Sequence, residues 1–186
     1  METIKTTKNS HEFNISSKKY LDFKKKLNKY LNTYQIKKIE KSFNLACDAH
    51  RGQIRKSGEA YIHHPLSAAS ILADFQLDHE SIMAAILHDV IEDTEIGKEK
   101  LKKNFGSKVA ELVDGVSKLD KLSFSTTEEA DAANLRKMIL AMSQDIRVIL
   151  IKLADRKHNL ETINALDNVK RKKMAKKPSK SLRLLH

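Results

Sequence analysis

Only five glycines and two prolines punctuate 186 residues. A chain so poor in turn-formers cannot be cut into the many short strands of a sandwich or barrel, and it favours long helices. The apolar residues agree, because they recur at helical spacing along most of the chain. Tyr20 to Leu31 reads as a short helix with Tyr20, Phe23, Leu27, Tyr30 and Leu31 on one side. Tyr34 to His50 carries Ile36, Ile39, Phe43, Ala46 and Cys47 on one face, so Cys47, the only cysteine, is expected to pack in the core. Gly52 to His64 is a loop bearing the Arg55-Lys56 pair, and Pro65 is expected to open a helix with Ala68, Ala69, Ile71, Leu72 and Phe75 inward. Asp78 is the expected N-cap of a helix from Ser81 to Ile91. A helix between Gly97 and Gly106 follows, then one from Val109 to Leu119. Residues 120–132 read as a mobile loop and Asn134 to Met142 as helix. Asp145 to Ile163 is expected to be the most buried helix, apolar around much of its girth. The expected fold is an all-α bundle of about eight or more helices in one domain, with no internal repeat.

Charge bounds the class of partner. Residues 1–41 are net +7 and residues 170–186 net +8, whereas 42–169 are net −4, so the overall +11 belongs to the two ends. Such ends read as solvated lysine-rich tails; the competing reading is phosphate neutralisation on nucleic acid, against which stand sparse aromatic interleaving and the lack of a recognition motif. One cysteine excludes a disulfide framework and fits a reducing, cytoplasmic setting. No apolar run approaches the ~20 residues of a membrane span, so no membrane partner is expected. The N-terminus has no apolar stretch behind its charges and does not read as a secretory signal.

Four ionisable groups gather just behind one apolar stretch, where the bland alternatives are a satisfied polar histidine and solvated acids at a helix end. His88 and Asp89 follow the apolar run Ile82-Met83-Ala84-Ala85-Ile86-Leu87, with Glu92 and Asp93 one turn later. On a continuous helix His88 shares a face with Glu92, and Asp89 with Asp93. His63-His64-Pro65 offers histidines at another helix start. Asp155 lies among Ile151, Leu153 and Ala154, where a carboxylate is expensive unless a cation or hydrogen bonds compensate it; Arg156 or an arginine of another helix is one such partner. Histidines with aspartates form a mixed N/O set, suited to Mn, Fe, Mg or Zn at higher coordination. An ion with open positions polarises a phosphoryl oxygen and acidifies water. Asn159 and Thr162 share the helical face of Asp155 and are placed to meet a ligand there.

These segments resemble a known family. AHRGQIRKSGEAYIHHP (Ala49 to Pro65), ILHDVIEDT (Ile86 to Thr94), FGSKVAELVDGVSKL (Phe105 to Leu119) and NLRKMILAMSQDIRVILIKLADRKHNLETI (Asn134 to Ile163) look like the hydrolase domain of the RelA/SpoT homologues, in order and over roughly residues 35–177. The resemblance implies an all-α HD-type metal-dependent phosphohydrolase, a cytoplasmic bacterial enzyme of the stringent response that removes pyrophosphate from the 3′ position of ppGpp and pppGpp. It implies His64, His88, Asp89 and Asp155 as ligands of Mn²⁺, with His63 a bystander. Glu92 and Asp93 would position and deprotonate the attacking water. Arg55 would stack on guanine, Lys56 and Ser57 would meet phosphate or ribose, Tyr61 would wall the site, and Asn159 and Thr162 would contact the nucleotide. The other readings are an HD phosphohydrolase of a different nucleotide, against which the Arg55 loop argues, and a catalytically weakened basic module binding RNA or ribosomes.

The domain expectation is a disordered segment 1–17, a hydrolase domain 18–177 and an atypical basic tail 178–186. Ala60 replaces the proline usual after Gly58-Glu59, and Ala133 replaces a glutamate common before Asn134. The tail PSKSLRLLH stands where the family continues toward a synthetase domain. The expectation is either a truncating frameshift or a naturally small hydrolase, in both cases without a synthetase domain.

Overall fold

The computed structural model describes residues 18–120 and 144–162. The expectations for segment 1–17, for residues 121–132 of the loop, for the Asn134–Met142 helix with Ala133, for Ile163 and for the 178–186 tail lie outside the described residues. Among those described, eight helices form the fold: α1 (18–27), α2 (Thr33–Ala49), α3 (His63–Asp74), α4 (His79–Leu87), α5 (Val90–Asp93), α6 (Lys98–Phe105), α7 (Ser107–Asp120) and α8 (Arg147–Glu161). The all-α expectation holds.

Local chemistry sets most boundaries. The Asn32 side chain accepts from Gln35 N and the Gln35 side chain accepts from Asn32 N, a reciprocal cap that starts α2. Asp78 accepts from Glu80 N and Ser81 N, as expected of an N-cap. Gly97 precedes α6, and Gly106, at φ 94°, ends it. α1 stops at residue 27, sooner than the periodicity suggested, so Tyr30 and Leu31 pack on the core from the turn that follows. α3 opens at His63, not at Pro65. Pro65 still falls in the first turn, where an N–H has no helical partner to lose.

The centre of the core is α4. Ile82, Met83, Ala84, Ala85, Ile86 and Leu87 are each 0% exposed, so this helix is covered on every side, by α2, α3, α7 and α8. Fully burying each of its large side chains contributes about 1.5–3 kcal/mol. The expectation that the Asp145–Ile163 helix would be the most buried is therefore corrected. α8 buries Val148, Ile149, Ile151, Ala154, Asp155 and His158, but Leu153 is 47% exposed. Phe75, assigned to the inner stripe of α3, is 74% exposed: it caps that helix, and the chain turns away there through Gln76 at positive φ. Cys47 is half-buried and packs against the core as expected.

α7 and α8 approach closely at Gly115. A Cβ there would lie 2.9 Å from Val148 Cγ2 and 3.3 Å from Cγ1. Val148 is β-branched, holds one main rotamer in a helix and cannot swing aside. Gly115→Ala gains about 1 kcal/mol of helix propensity but overpacks at a cost of about 1–3 kcal/mol. Net destabilisation of about 1 kcal/mol is expected in urea unfolding. Adding Val148→Ala should relieve it, so the double variant should be more stable than the sum of the singles by about 1 kcal/mol; strict additivity would contradict the contact.

Candidate metal centre

α4 ends where the core ends. The predicted helix Ser81–Ile91 is not continuous: after Leu87 the residues His88 and Asp89 form a turn, and the short α5 follows. His88 stays inside, at 2% exposure, while Glu92 and Asp93 emerge at the surface. The expected His88–Glu92 face is thereby split. The Asp89–Asp93 pair survives, with Asp93 N donating to Asp89 O at 2.9 Å and the Tyr61 hydroxyl 2.8 Å from a carboxylate oxygen of each.

Three helices bring the ligand types together: His64 from the first turn of α3, His88 and Asp89 from the end of α4, and Asp155 from the middle of α8. Ligand atoms of His64, His88 and Asp155, all buried, lie within 4.8 Å of one another. His64 Nε2 is 3.2 Å from Asp155 Oδ1 and 3.7 Å from Asp89 Oδ2. His88 Nε2 is 3.1 Å from Asp89 Oδ1 and 4.0 Å from Asp155 Oδ1. His64, His88 and Asp155 form the tight cluster and Asp89 borders it through its contacts to both histidines, while His63, also buried, is not in the cluster.

The donor set fits a divalent cation. His88 Nδ1 lies 2.8 Å from Ala85 O, and a carbonyl only accepts, so Nδ1 carries the proton of the neutral ring. The buried Nε2 then has no hydrogen-bond partner and faces two carboxylates. Such an atom is costly to bury unless a cation meets it. Burial disfavours the charged ring of His88, yet Asp89 and Asp155 raise its proton affinity above the ordinary value. The same field favours a metal ion at that place. Burial lowers the pKa of His64 despite the neighbouring aspartates. Burial alone would raise the Asp155 carboxyl, but His64, His88 and Lys152 hold it well below the usual range.

Asp155 thus finds its compensating cation in Lys152, whose Nζ is 2.7 Å from Oδ2, rather than in Arg156 or an arginine of another helix. The Asn159 amide donates to Asp155 Oδ1. Thr162 does not face the site; its hydroxyl turns back to the carbonyls of His158 and Asn159 and closes α8. Glu92 accepts from the Ser117 hydroxyl of α7 at 2.6 Å.

The Arg55 loop is pinned by paired backbone bonds, Arg55 N to Glu59 O at 2.9 Å and Tyr61 N to Gln53 O at 3.0 Å, and by a lone antiparallel bridge between Ile54 and Ala60. Gly58, at φ 84°, makes the turn. Ala60 holds its place in this bridge without the proline. The loop directs Arg55 at α8, where Nη2 donates to Asn159 Oδ1 at 2.7 Å and Nη1 lies 3.2 Å from His158 Nδ1. Ser57 and Lys56 are exposed on the loop. Tyr61 stacks on His50 with ring centroids 4.6 Å apart; burial, Asp89 and Asp93 push its hydroxyl far above the ordinary range, so it remains a donor.

Sequence reasoning missed Lys152, His158 and Ser117. The i−3 and i+3 spacing of Lys152 and His158 from Asp155 was the available signal for the first two. Nothing in the linear sequence marked Ser117 as the partner of Glu92.

A helical bundle whose central helix delivers a His-Asp pair to a histidine and an aspartate from two other helices defines an HD-type metal-binding protein. The chain belongs to the HD domain family, whose description matches residues 42–180. Among curated relatives, the guanosine-3′,5′-bis(diphosphate) 3′-pyrophosphohydrolase of Haemophilus influenzae is 62% identical over 132 residues, 71% of this chain and 20% of that protein. The bifunctional (p)ppGpp synthase/hydrolase SpoT of Escherichia coli is 55% identical over 154 residues, 81% of this chain and 22% of that protein. The chain therefore spans about a fifth of the length of these relatives. A solved structure of a metazoan SpoT ortholog that hydrolyses ppGpp and plays a role in starvation responses aligns with a TM-score of 0.65 at 27% identity, covering 84% of this chain and 88% of that one. No described helix is long and apolar enough to cross a membrane.

Proposed function

We propose that this chain hydrolyses ppGpp and pppGpp at the 3′-diphosphate, with His64, His88, Asp89 and Asp155 holding a divalent ion, Mn²⁺ by preference. The observation that carries the reading is the buried, partnerless Nε2 of His88 facing Asp89 and Asp155 beside His64. The names of the relatives and the four family-like segments supply the substrate. Bound at these residues, the ion supplies Lewis acidity to the phosphoryl group that is attacked. Water attacks the phosphorus attached to the 3′ oxygen, that P–O bond breaks, and the 3′ oxygen departs and takes up a proton from solvent. The products are pyrophosphate, carrying the water oxygen, and GDP or GTP.

The chain's own residues divide the remaining work. Glu92, exposed and held by Ser117, takes the proton of the attacking water. Asp93 and Tyr61 orient that water beside Asp89. Arg55 uses its N–H edge on His158 and Asn159, which leaves the planar faces of the guanidinium as the surfaces for stacking on guanine. Lys56 and Ser57, on the same loop, meet phosphate or ribose. Asn159 reaches the nucleotide next to Arg55, while Thr162 acts only by closing the helix beneath it. A cytoplasmic location fits a chain whose single cysteine suits a reducing compartment.

The test is the product. Incubated with ppGpp and Mn²⁺, the protein is expected to release GDP and intact pyrophosphate in equal amounts, resolved by ion-exchange chromatography. Two equivalents of orthophosphate, or no turnover of ppGpp, would overturn the reading.

A further inference from the structure

His158 is buried on α8, one turn beyond Asp155, and is assigned above only as a hydrogen-bond partner of Arg55. Its Nδ1 lies 2.8 Å from His64 Nδ1 and 3.2 Å from Arg55 Nη1. Two ring nitrogens at 2.8 Å need one proton between them, and the donor–acceptor chemistry decides where it sits. A guanidinium has donors only and keeps its protons. Arg55 therefore requires His158 Nδ1 to be an acceptor. An accepting His158 Nδ1 has no proton of its own, so the proton in the 2.8 Å contact belongs to His64 Nδ1. The Arg55 and His64 N–H groups share the one lone pair of His158 Nδ1, His64 being the nearer donor. The neutral ring of His64 has one proton, and placing it on Nδ1 leaves Nε2 as a lone pair, 3.2 Å from Asp155 Oδ1 and 3.7 Å from Asp89 Oδ2.

That outcome is not automatic. Without the metal, His64 Nε2 could instead keep the proton and donate it to Asp155, and a metal ion would then have to displace it. The hydrogen bond made by the second ring nitrogen fixes the tautomer of a ligating histidine, and partners of this kind change metal affinity by about 10–100-fold.

We infer that His158 is a positioning residue that, held as an acceptor by Arg55, fixes His64 in the tautomer whose Nε2 lone pair faces the cation site. The inference rests on the metal-centre part of the reading above and is indifferent to which phosphate ester is cleaved. It has a further consequence: Arg55, assigned to the nucleotide, also tunes metal affinity when no nucleotide is present. The Arg55 loop and the metal centre are then linked, because binding at either end favours the same arrangement of His158.

Two readouts on the whole chain without nucleotide test it. Long-range ¹H–¹⁵N correlation spectra of the metal-free protein report which ring nitrogen of His64 bears the proton, and titration calorimetry reports Mn²⁺ affinity. Nδ1 protonation is expected in the parent. His158→Leu removes the acceptor and should move the proton to Nε2 and weaken Mn²⁺ binding by about 10–100-fold. His158→Asn offers an amide oxygen near the lost Nδ1 and should restore both. Arg55→Met leaves the core intact and should raise the Nε2–H population of His64 with a several-fold loss of Mn²⁺ affinity, which serves if the leucine variant does not fold. A parent His64 protonated on Nε2, or a folded His158→Leu protein with unchanged tautomer and affinity, would overturn the inference. Parent tautomer and variant pattern as expected, but no ppGpp turnover, would defeat the substrate reading and leave this one standing.

Discussion

Asp89→Asn is expected to reduce ppGpp hydrolysis by about 10³-fold or more and to abolish tight Mn²⁺ binding, with the fold preserved. The side chain straddles the proposed metal centre, with Oδ1 3.1 Å from His88 Nε2 and Oδ2 3.7 Å from His64 Nε2. A neutral amide is a far poorer ligand for a hard cation than a carboxylate. A metal contributes several kcal/mol to a phosphoryl-transfer barrier, and at 1.36 kcal/mol per tenfold in rate, the loss of about 4 kcal/mol is a factor of about 10³. The fold should survive, since asparagine keeps the size of the side chain and an oxygen to accept from Tyr61. In the metal-free protein, unfolding should occur at the parent's temperature or above it, because one of three neighbouring carboxylates has lost its charge. Turnover within a few-fold of the parent, or unchanged Mn²⁺ affinity in calorimetry, would remove Asp89 from the centre.

Glu92→Gln should separate chemistry from binding. Glu92 is exposed, lies a turn beyond the proposed ligands and is tied to Ser117, so it is not needed to hold the ion. Glutamine keeps the length of the side chain and an oxygen for the Ser117 hydroxyl, and loses only the capacity to take a proton. Loss of a general base typically costs about 10²–10⁴-fold. The expected result is a fall of that size in kcat, with KM for ppGpp and Mn²⁺ affinity within a few-fold of the parent. A loss of metal would make Glu92 a ligand, and an unchanged kcat would make it a solvated acid at a helix end.

What the sequence disclosed follows from the range of the forces involved. Helix starts and stops depend on contacts within a few residues, so Asn32, Asp78, Gly97 and Gly106 mark their elements where they stand. His88, Asp89 and Asp155 stood out because a histidine-aspartate pair after a wholly apolar run, and a carboxylate inside another, are costly to bury, whereas only the family resemblance singled out His64 from its neighbour His63. Periodicity misplaced the burial of α4 and α8. It counts apolar side chains, whereas burial depends on which helix its neighbours enclose, and the two alanines of α4 let those neighbours close in. It also carried one helix through His88 and Asp89, although the chain turns there to leave the core. Lys152 lies within one helical turn of Asp155, a local signal that went unused, whereas His158 meets His64 and Ser117 meets Glu92 across different helices that only folding brings near. Thr162 shares the helical face of Asp155 yet spends its hydroxyl on its own carbonyls, a choice that face analysis does not see.

The central claim is that one buried histidine-aspartate cluster holds a divalent ion and thereby cleaves ppGpp. Its most direct measurement is pyrophosphate release from ppGpp by protein stripped exhaustively with a chelator, dialysed, and then given Mn²⁺ in steps. Release is expected to be absent from the stripped protein and to return in proportion to Mn²⁺ until one ion per chain is bound. Full activity in the stripped protein, or no activity at any Mn²⁺ concentration with the ion bound at the cluster, would contradict it.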